Sequence, residues 1–184
     1  MTTSAKRQAY GWTTIAFHWL SVVAIVISFL TGTPLGEVGR EEPDTALADH
    51  LLWASLLAVP LLARIAWRVS EGFLQTSDQA GVLRLISRVV MVGLLVSIGG
   101  AVITGFLLPW SLGNPLDIGI VSISSPLARS AALHALLVSL HDVFAYLWLP
   151  LLAVHILGAL KHFLVDGDDV FIGMLISNRE QEDG

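Results

Sequence analysis

Apolar and polar residues follow one another along this chain in long blocks, not turn by turn, the pattern of helices that cross a membrane. The blocks predict helices over approximately residues 12–31, 46–69, 82–110 and 130–165. Residues 89–109 and 143–160 carry no formal charge, and a hydrocarbon layer needs about 20 such residues in a helix. Thr33-Pro34-Leu35-Gly36 is expected to end the first helix, Pro109 and Pro115 to punctuate the exit of the third, and Asp166-Gly167-Asp168-Asp169 to stop the fourth. A polar, acidic connection over 37–49, a polar turn over 70–81 and a mixed loop over 113–129 join them. The apolar part of that loop, 118–123, is too short to span and is expected against the bundle or at the membrane interface. A polar leader with Lys6 and Arg7 before the first apolar run is also the shape of a signal peptide. The run is long, however, no small-residue cleavage site follows Leu30, and His18 interrupts it, so a retained helix is expected.

Composition supports this. The 184 residues are 54% hydrophobic and only 14% charged, against about 25% charged in soluble domains. The absence of cysteine excludes disulfides, Cys-ligated zinc, iron–sulfur clusters and thioether-attached haem, leaving His, carboxylate or Met for any bound metal. No basic arm or basic-aromatic interleaving suggests nucleic acid. The net charge of −5 matters less than where charge lies. With four spans, Lys6, Arg7, Arg64, Arg68, Arg84, Arg88, Lys161 and Arg179 fall on the side of the termini, and only Arg40 and Arg129 on the other. By the positive-inside rule both termini are expected in the cytoplasm. The expected fold is thus all-α, an integral membrane four-helix bundle running up-down-up-down as a single transmembrane domain over residues 1–184, with no repeat or second domain.

The chemistry lies in the histidines. His134, His141, His155 and His162 are spaced seven, fourteen and seven residues apart, which keeps them on one stripe of a helix. His18 lies about a turn inside the first span and His155 about two turns from the end of the fourth, so these two can meet at one depth. His50, in the first turn of the second span, can meet His141 at another. Fourteen residues separate His141 from His155, about 21 Å of rise, which puts the two levels near opposite faces of the membrane. A pair of imidazoles facing across a bundle suits the two axial positions of a six-coordinate b-type haem, an electron-transfer centre. Buried, hydrogen-bonded histidines are the bland alternative. Zinc or a proton relay fits less well, since the levels are far apart and no carboxylates converge on either.

Phe17-His18-Trp19-Leu20, His50 with Arg64 fourteen residues on, His141 with His155 fourteen on, and Leu160-Lys161-His162 with Asp168-Asp169-Val170 resemble the bacterial cytochrome b561 family over nearly the whole chain. The resemblance implies a multi-pass protein of the bacterial cytoplasmic (inner) membrane that binds two haem b, with His18 paired to His155 and His50 to His141 as iron ligands. More loosely it extends to the cytochrome b subunits of membrane hydrogenases. Some members of the nearer family suggest a superoxide oxidase, passing electrons from periplasmic superoxide through both haems to ubiquinone. The chain departs from the family at Leu85-Ile86-Ser87-Arg88-Val89, where a His is frequent, and at Ala54, where a Gly is. The first departure puts in doubt any cytoplasmic-side role of that His; neither touches the four ligands.

Around these pairs, Arg64 and Arg68 are candidates for haem propionates or lipid phosphates, with plain membrane anchoring as the alternative. His162 and Lys161 are candidates for a quinone site and proton source, or an interfacial pair without ligand. His134 is expected at the outer surface, and Trp148, seven residues from both His141 and His155, between the two levels. Gly93, Ser97, Ala101 and Gly105 recur every four residues and are expected to pack helices closely. Trp12, Trp19, Trp67 and Trp110 fall at span ends, as in aromatic belts. The expected function is electron transfer between a periplasmic donor or acceptor, superoxide or a redox protein, and the quinone pool. The alternative is an anchor and electron-conduit subunit for a separate periplasmic enzyme such as a hydrogenase. Glu37, Glu41, Glu42, Asp44, Asp49 and Asp117 make the outer loops acidic, which suits a basic partner and disfavours capture of an anion.

Overall fold

The computed structural model describes residues 11–37, 45–71, 81–118 and 121–175. Four helices dominate it: α1 (Trp12–Glu37), α2 (Thr45–Glu71), α3 (Gly81–Ser111) and α4 (Ala131–Lys161). All four are long and apolar enough to cross a membrane, consistent with a four-helix bundle.

Small and hydroxyl side chains make up much of the interior while large apolar ones cover the surface, unlike a soluble bundle. Ala24, Ser97 and Ser111 are fully buried, whereas Leu30, Val59 and Leu157 are each more than half exposed. Lipid tails are as apolar as leucine, so nothing drives leucine inward, and small residues let backbones approach. Where they approach is specific. At Gly93 a Cβ would meet the Leu151 side chain at 3.0 Å, and at Gly100 the Phe144 ring at 2.6 Å. Between these glycines the Ser97 hydroxyl donates to the Phe144 carbonyl of α4 (2.7 Å).

α1 packs along α2 and α3 along α4, while α1 and α4 have little direct backbone contact. Side chains fill that space. Phe29 of α1 stands edge-on to Trp148 of α4, with ring centroids 5.3 Å apart, so half-buried Trp148 meets α1 between the histidine levels.

Several boundaries move from the sequence expectation. α1 continues through Pro34 to Glu37, because a proline in the last turn removes a single ladder bond and ends nothing by itself. α3 closes at Gly113 and not at its prolines. Gly113 has φ 76°, and the bonds from Asn114 N–H to the Pro109 carbonyl (3.1 Å) and from Gly113 N–H to the Trp110 carbonyl (2.9 Å) form a Schellman stop. Beyond it, β1 (Leu116–Asp117) and β2 (Ser122–Ile123) pair antiparallel, and buried Leu116 seats this hairpin against α2 and α3. The contact is made by Leu116, just before the apolar stretch 118–123, in which Val121, Ser122 and Ile123 are exposed. α4 starts at the Ser130 cap, whose Oγ accepts from the Leu133 N–H at 3.3 Å.

Past Lys161 the chain adds one wider π turn (His162–Asp166), closed at Gly167 with φ 62°. It then folds back as a 3₁₀ turn (Ile172–Met174) until the Met174 carbonyl accepts the Trp19 indole N–H at 2.9 Å. The indoles of Trp67 and Trp110 also serve as ties, to Thr14 Oγ1 and to the Ile123 carbonyl, each at 3.2 Å. Residues 1–10, 38–44 and 176–184, which include Lys6, Arg7, Arg40, Glu41, Glu42, Asp44 and Arg179, lie outside the described residues, as do the side chains of Glu37 and Arg68.

Candidate functional site

Two pairs of imidazoles face one another across the bundle, at opposite ends. His18 of α1 and His155 of α4 have ring centroids 6.2 Å apart; His50 of α2 and His141 of α4 stand 6.4 Å apart. All four rings are half-buried. Two metal–nitrogen bonds of about 2 Å each, plus a little over 1 Å from each nitrogen to its ring centre, put the centroids of a bis-imidazole complex about 6 Å apart. Both gaps have that width.

The His50–His141 pair is tied in from behind. Thr31 Oγ1 donates to the Ile27 carbonyl (2.9 Å), so its lone pairs are free to accept from His50 Nδ1 at 3.2 Å. Thr104 Oγ1 likewise donates to the Gly100 carbonyl (2.6 Å) and lies 3.1 Å from His141 Nδ1, which is also 3.0 Å from the Ala101 carbonyl. Acceptors behind Nδ1 favour the proton there and leave Nε2 bare, the tautomer of a metal-binding histidine. Glycines make the room. A Cβ on Gly32 would meet His50 Cε1 at 2.9 Å, and one on Gly105 would meet His141 Cε1 at 3.1 Å. Thr31, Thr104, Gly32 and the Ala101 carbonyl were not marked by sequence reasoning. The spacing of Gly93, Ser97, Ala101 and Gly105 was read as packing alone, yet two of its members position His141.

At the other end, half-buried Arg64 is the charged neighbour shared by His18 and His155. Arg68 follows one turn later on α2. Lys161 Nζ is paired with Asp166 (2.6 and 2.7 Å), and His162 Nδ1 lies 2.6 Å from Asp168 Oδ2 and 3.4 Å from Asp166 Oδ2. Asp168 also accepts from the Val170 N–H at 3.1 Å, which fixes its carboxylate. His134, half-buried in the first turn of α4, has a structural partner. Its Nδ1 meets the fully buried Ser111 Oγ at 2.9 Å, where the hydroxyl donates to the Leu108 carbonyl, so this histidine clamps α4 to the end of α3.

Other metals fit this site poorly. Zinc wants three or four protein ligands, and among the described residues the one cluster of three such side chains is His162, Asp166 and Asp168, which includes neither pair. Two opposed nitrogens and no third suit a metal whose other positions are filled by its own macrocycle.

Residues 9–176 match a family described as prokaryotic cytochrome b561. The chain belongs to that family. Membership implies haem b binding and electron transfer in a multi-pass bacterial membrane protein, whose exposed apolar faces meet lipid. The chain is also similar to cytochrome b561 homolog 2 of Escherichia coli (strain K12), with 27% identity over 172 residues that cover 91% of this chain and 92% of that one.

Proposed function

We propose that the chain is a di-haem b-type cytochrome of the bacterial inner membrane, moving electrons between a periplasmic donor or acceptor and the quinone pool. One observation carries this: two opposed imidazole pairs, 6.2 and 6.4 Å between ring centres, at opposite ends of a membrane bundle. His18 with His155 and His50 with His141 would supply the axial nitrogens. The haem, when bound, supplies the one-electron chemistry; the protein supplies orientation, spacing and a dry path. The helices run up-down-up-down with both termini cytoplasmic, which makes the His18–His155 end the inner one and the His50–His141 end the outer.

Each group has a task. Thr31, Ala101 and Thr104 orient the outer imidazoles, and the guanidinium of Arg64, with Arg68 proposed from the sequence alone, would pair with propionates at the inner end. Reduction of a quinone needs two electrons and two protons. His162, paired with Asp168, and Lys161, paired with Asp166, would hold protons beside a quinone docked at the cytoplasmic end. Outer-face Asp49 and Asp117, both exposed, favour a basic redox partner over an anion. That supports the second reading, a conduit subunit for a separate periplasmic enzyme, and weakens superoxide oxidation as the main task.

Ubiquinol added anaerobically to the purified, oxidised protein tests the quinone link. The b-type absorbance should reduce, and His162→Ala should slow that reduction by about tenfold, the low end for a lost acid–base group. Haems that ubiquinol does not reduce would remove quinone from the account.

A further inference from the structure

The helices that carry His18 and His155, α1 and α4, have little direct backbone contact. At this end the chain beyond α4 reaches across to α1. Its π turn closes at Gly167 with φ 62°, and Asp168 then turns the chain back through both oxygens of its carboxylate. One lies 2.6 Å from His162 Nδ1, and the other accepts the Val170 N–H at 3.1 Å. Phe171 packs on Phe163 with ring centroids 5.3 Å apart, and the N–H of buried Gly173 donates to the Asp169 carbonyl at 2.7 Å. A segment fixed in this way delivers the Met174 carbonyl to the Trp19 indole N–H at 2.9 Å. Trp19 in turn stands edge-on to His18, with ring centroids 5.3 Å apart at an interplanar angle of 81°. Successive side chains on a helix do not face each other, so this contact needs an indole turned toward the imidazole. The bond to Met174 holds it there.

We infer that the fold-back over 162–175 is a tie between α1 and α4 that keeps His18 in place opposite His155, with Trp19 as its positioning residue. The inference rests on the haem reading of that pair. A ligating imidazole depends on the groups that fix its ring orientation as much as on its own nitrogen. Here the fixing group is an aromatic edge, at a separation such pairs favour. A backbone carbonyl pins that edge, so it does not change rotamer freely. Trp19 is 44% exposed and reads in the sequence as a belt residue; the bond to Met174 and the contact with His18 give it a second task.

Carbon monoxide titration of the reduced holoprotein in detergent tests this. CO takes an axial position on haem iron only where a histidine gives way, so its affinity reads how firmly the imidazole is held and not turnover. Trp19→Phe keeps a ring beside His18 and removes the N–H. The CO affinity of one haem should then rise about fivefold, the equilibrium weight of one net hydrogen bond. Gly167→Val strains the left-handed turn and leaves Trp19 in place, and it should raise that affinity as well. Trp110→Phe removes a comparable indole–carbonyl bond, to Ile123 at 3.2 Å, and should leave the natural value. Natural CO affinity in either fold-back variant, or an equal rise in Trp110→Phe, would overturn the inference with the haems still in place. Should Trp19→Phe fail to fold, Gly167→Val against Trp110→Phe decides the matter. A purified chain with no b-type spectrum overturns the haem reading and this inference together.

Discussion

Glycine and threonine do at the outer pair what a larger scaffold would otherwise do. A Cβ at Gly32 would stand 2.9 Å from His50 Cε1, closer than carbon atoms approach without something moving. A free imidazole could swing away; one fixed to a metal cannot. Gly32→Ala should therefore lower haem retention at the outer site, read as haem per protein after purification. Gly158→Ala, where a Cβ meets nothing within 4 Å, should leave it unchanged. The four facing histidines were legible in the sequence because an imidazole in an apolar span stands out and depth along a helix follows from counting. Gly32, Thr31 and Thr104 were not. Glycine and threonine are ordinary in membrane helices, and their role appears only once helix rotation is known. A helix that is apolar nearly all round, like α1 or α4, gives little sign of which side faces its neighbour.

The same ambiguity governs the helices. Their existence and approximate ends could be read from uncharged length, since no alternative satisfies twenty backbone amides in lipid. Their pairing rests on details that length does not carry, chiefly the close seam of α3 on α4. Phe144 lies against Gly100, where a Cβ would fall 2.6 Å from its ring, next to the Ser97 bond to the Phe144 carbonyl. Gly100→Ala should cost about 1–3 kcal/mol of stability, as overpacking does, and show as a lower thermal midpoint in detergent with the haem spectrum of the surviving fraction unchanged. The hairpin of β1 and β2 escaped sequence reasoning because two-residue strands have no period to detect. The fold-back after α4 escaped it because Asp166 to Asp169 look like a plain polar stop. Gly167 in the left-handed region and the Asp168 bond to Val170 instead turn the chain toward Trp19.

Seen whole, the bundle is polarised. Among the described residues Arg64, Arg84, Arg88 and Lys161 gather at the His18–His155 end, beside Asp166, Asp168 and Asp169, while Arg129, Asp49 and Asp117 lie at the other. If the positive-inside rule sets the orientation, a fluorescent protein fused after Gly184 should fold and shine in the cytoplasm, and an alkaline phosphatase fused there should stay inactive. Active phosphatase would invert the assignment of inner and outer ends. With the proposed orientation Asp49 and Asp117 lie on the outer face, and this carries a kinetic consequence as well. Superoxide, an anion, should reduce the haems at least about tenfold more slowly than in a relative with a cationic outer face, and raising the salt should speed the reaction. Reduction near the diffusion limit would contradict that.

Haem content against protein tests the central claim most directly, measured on the purified chain and on two ligand variants. The account predicts two haem b per natural chain, with His155→Ala keeping only the haem of the His50–His141 pair and His50→Ala only that of the His18–His155 pair. A natural chain without haem, or variants that retain the full content, would contradict it.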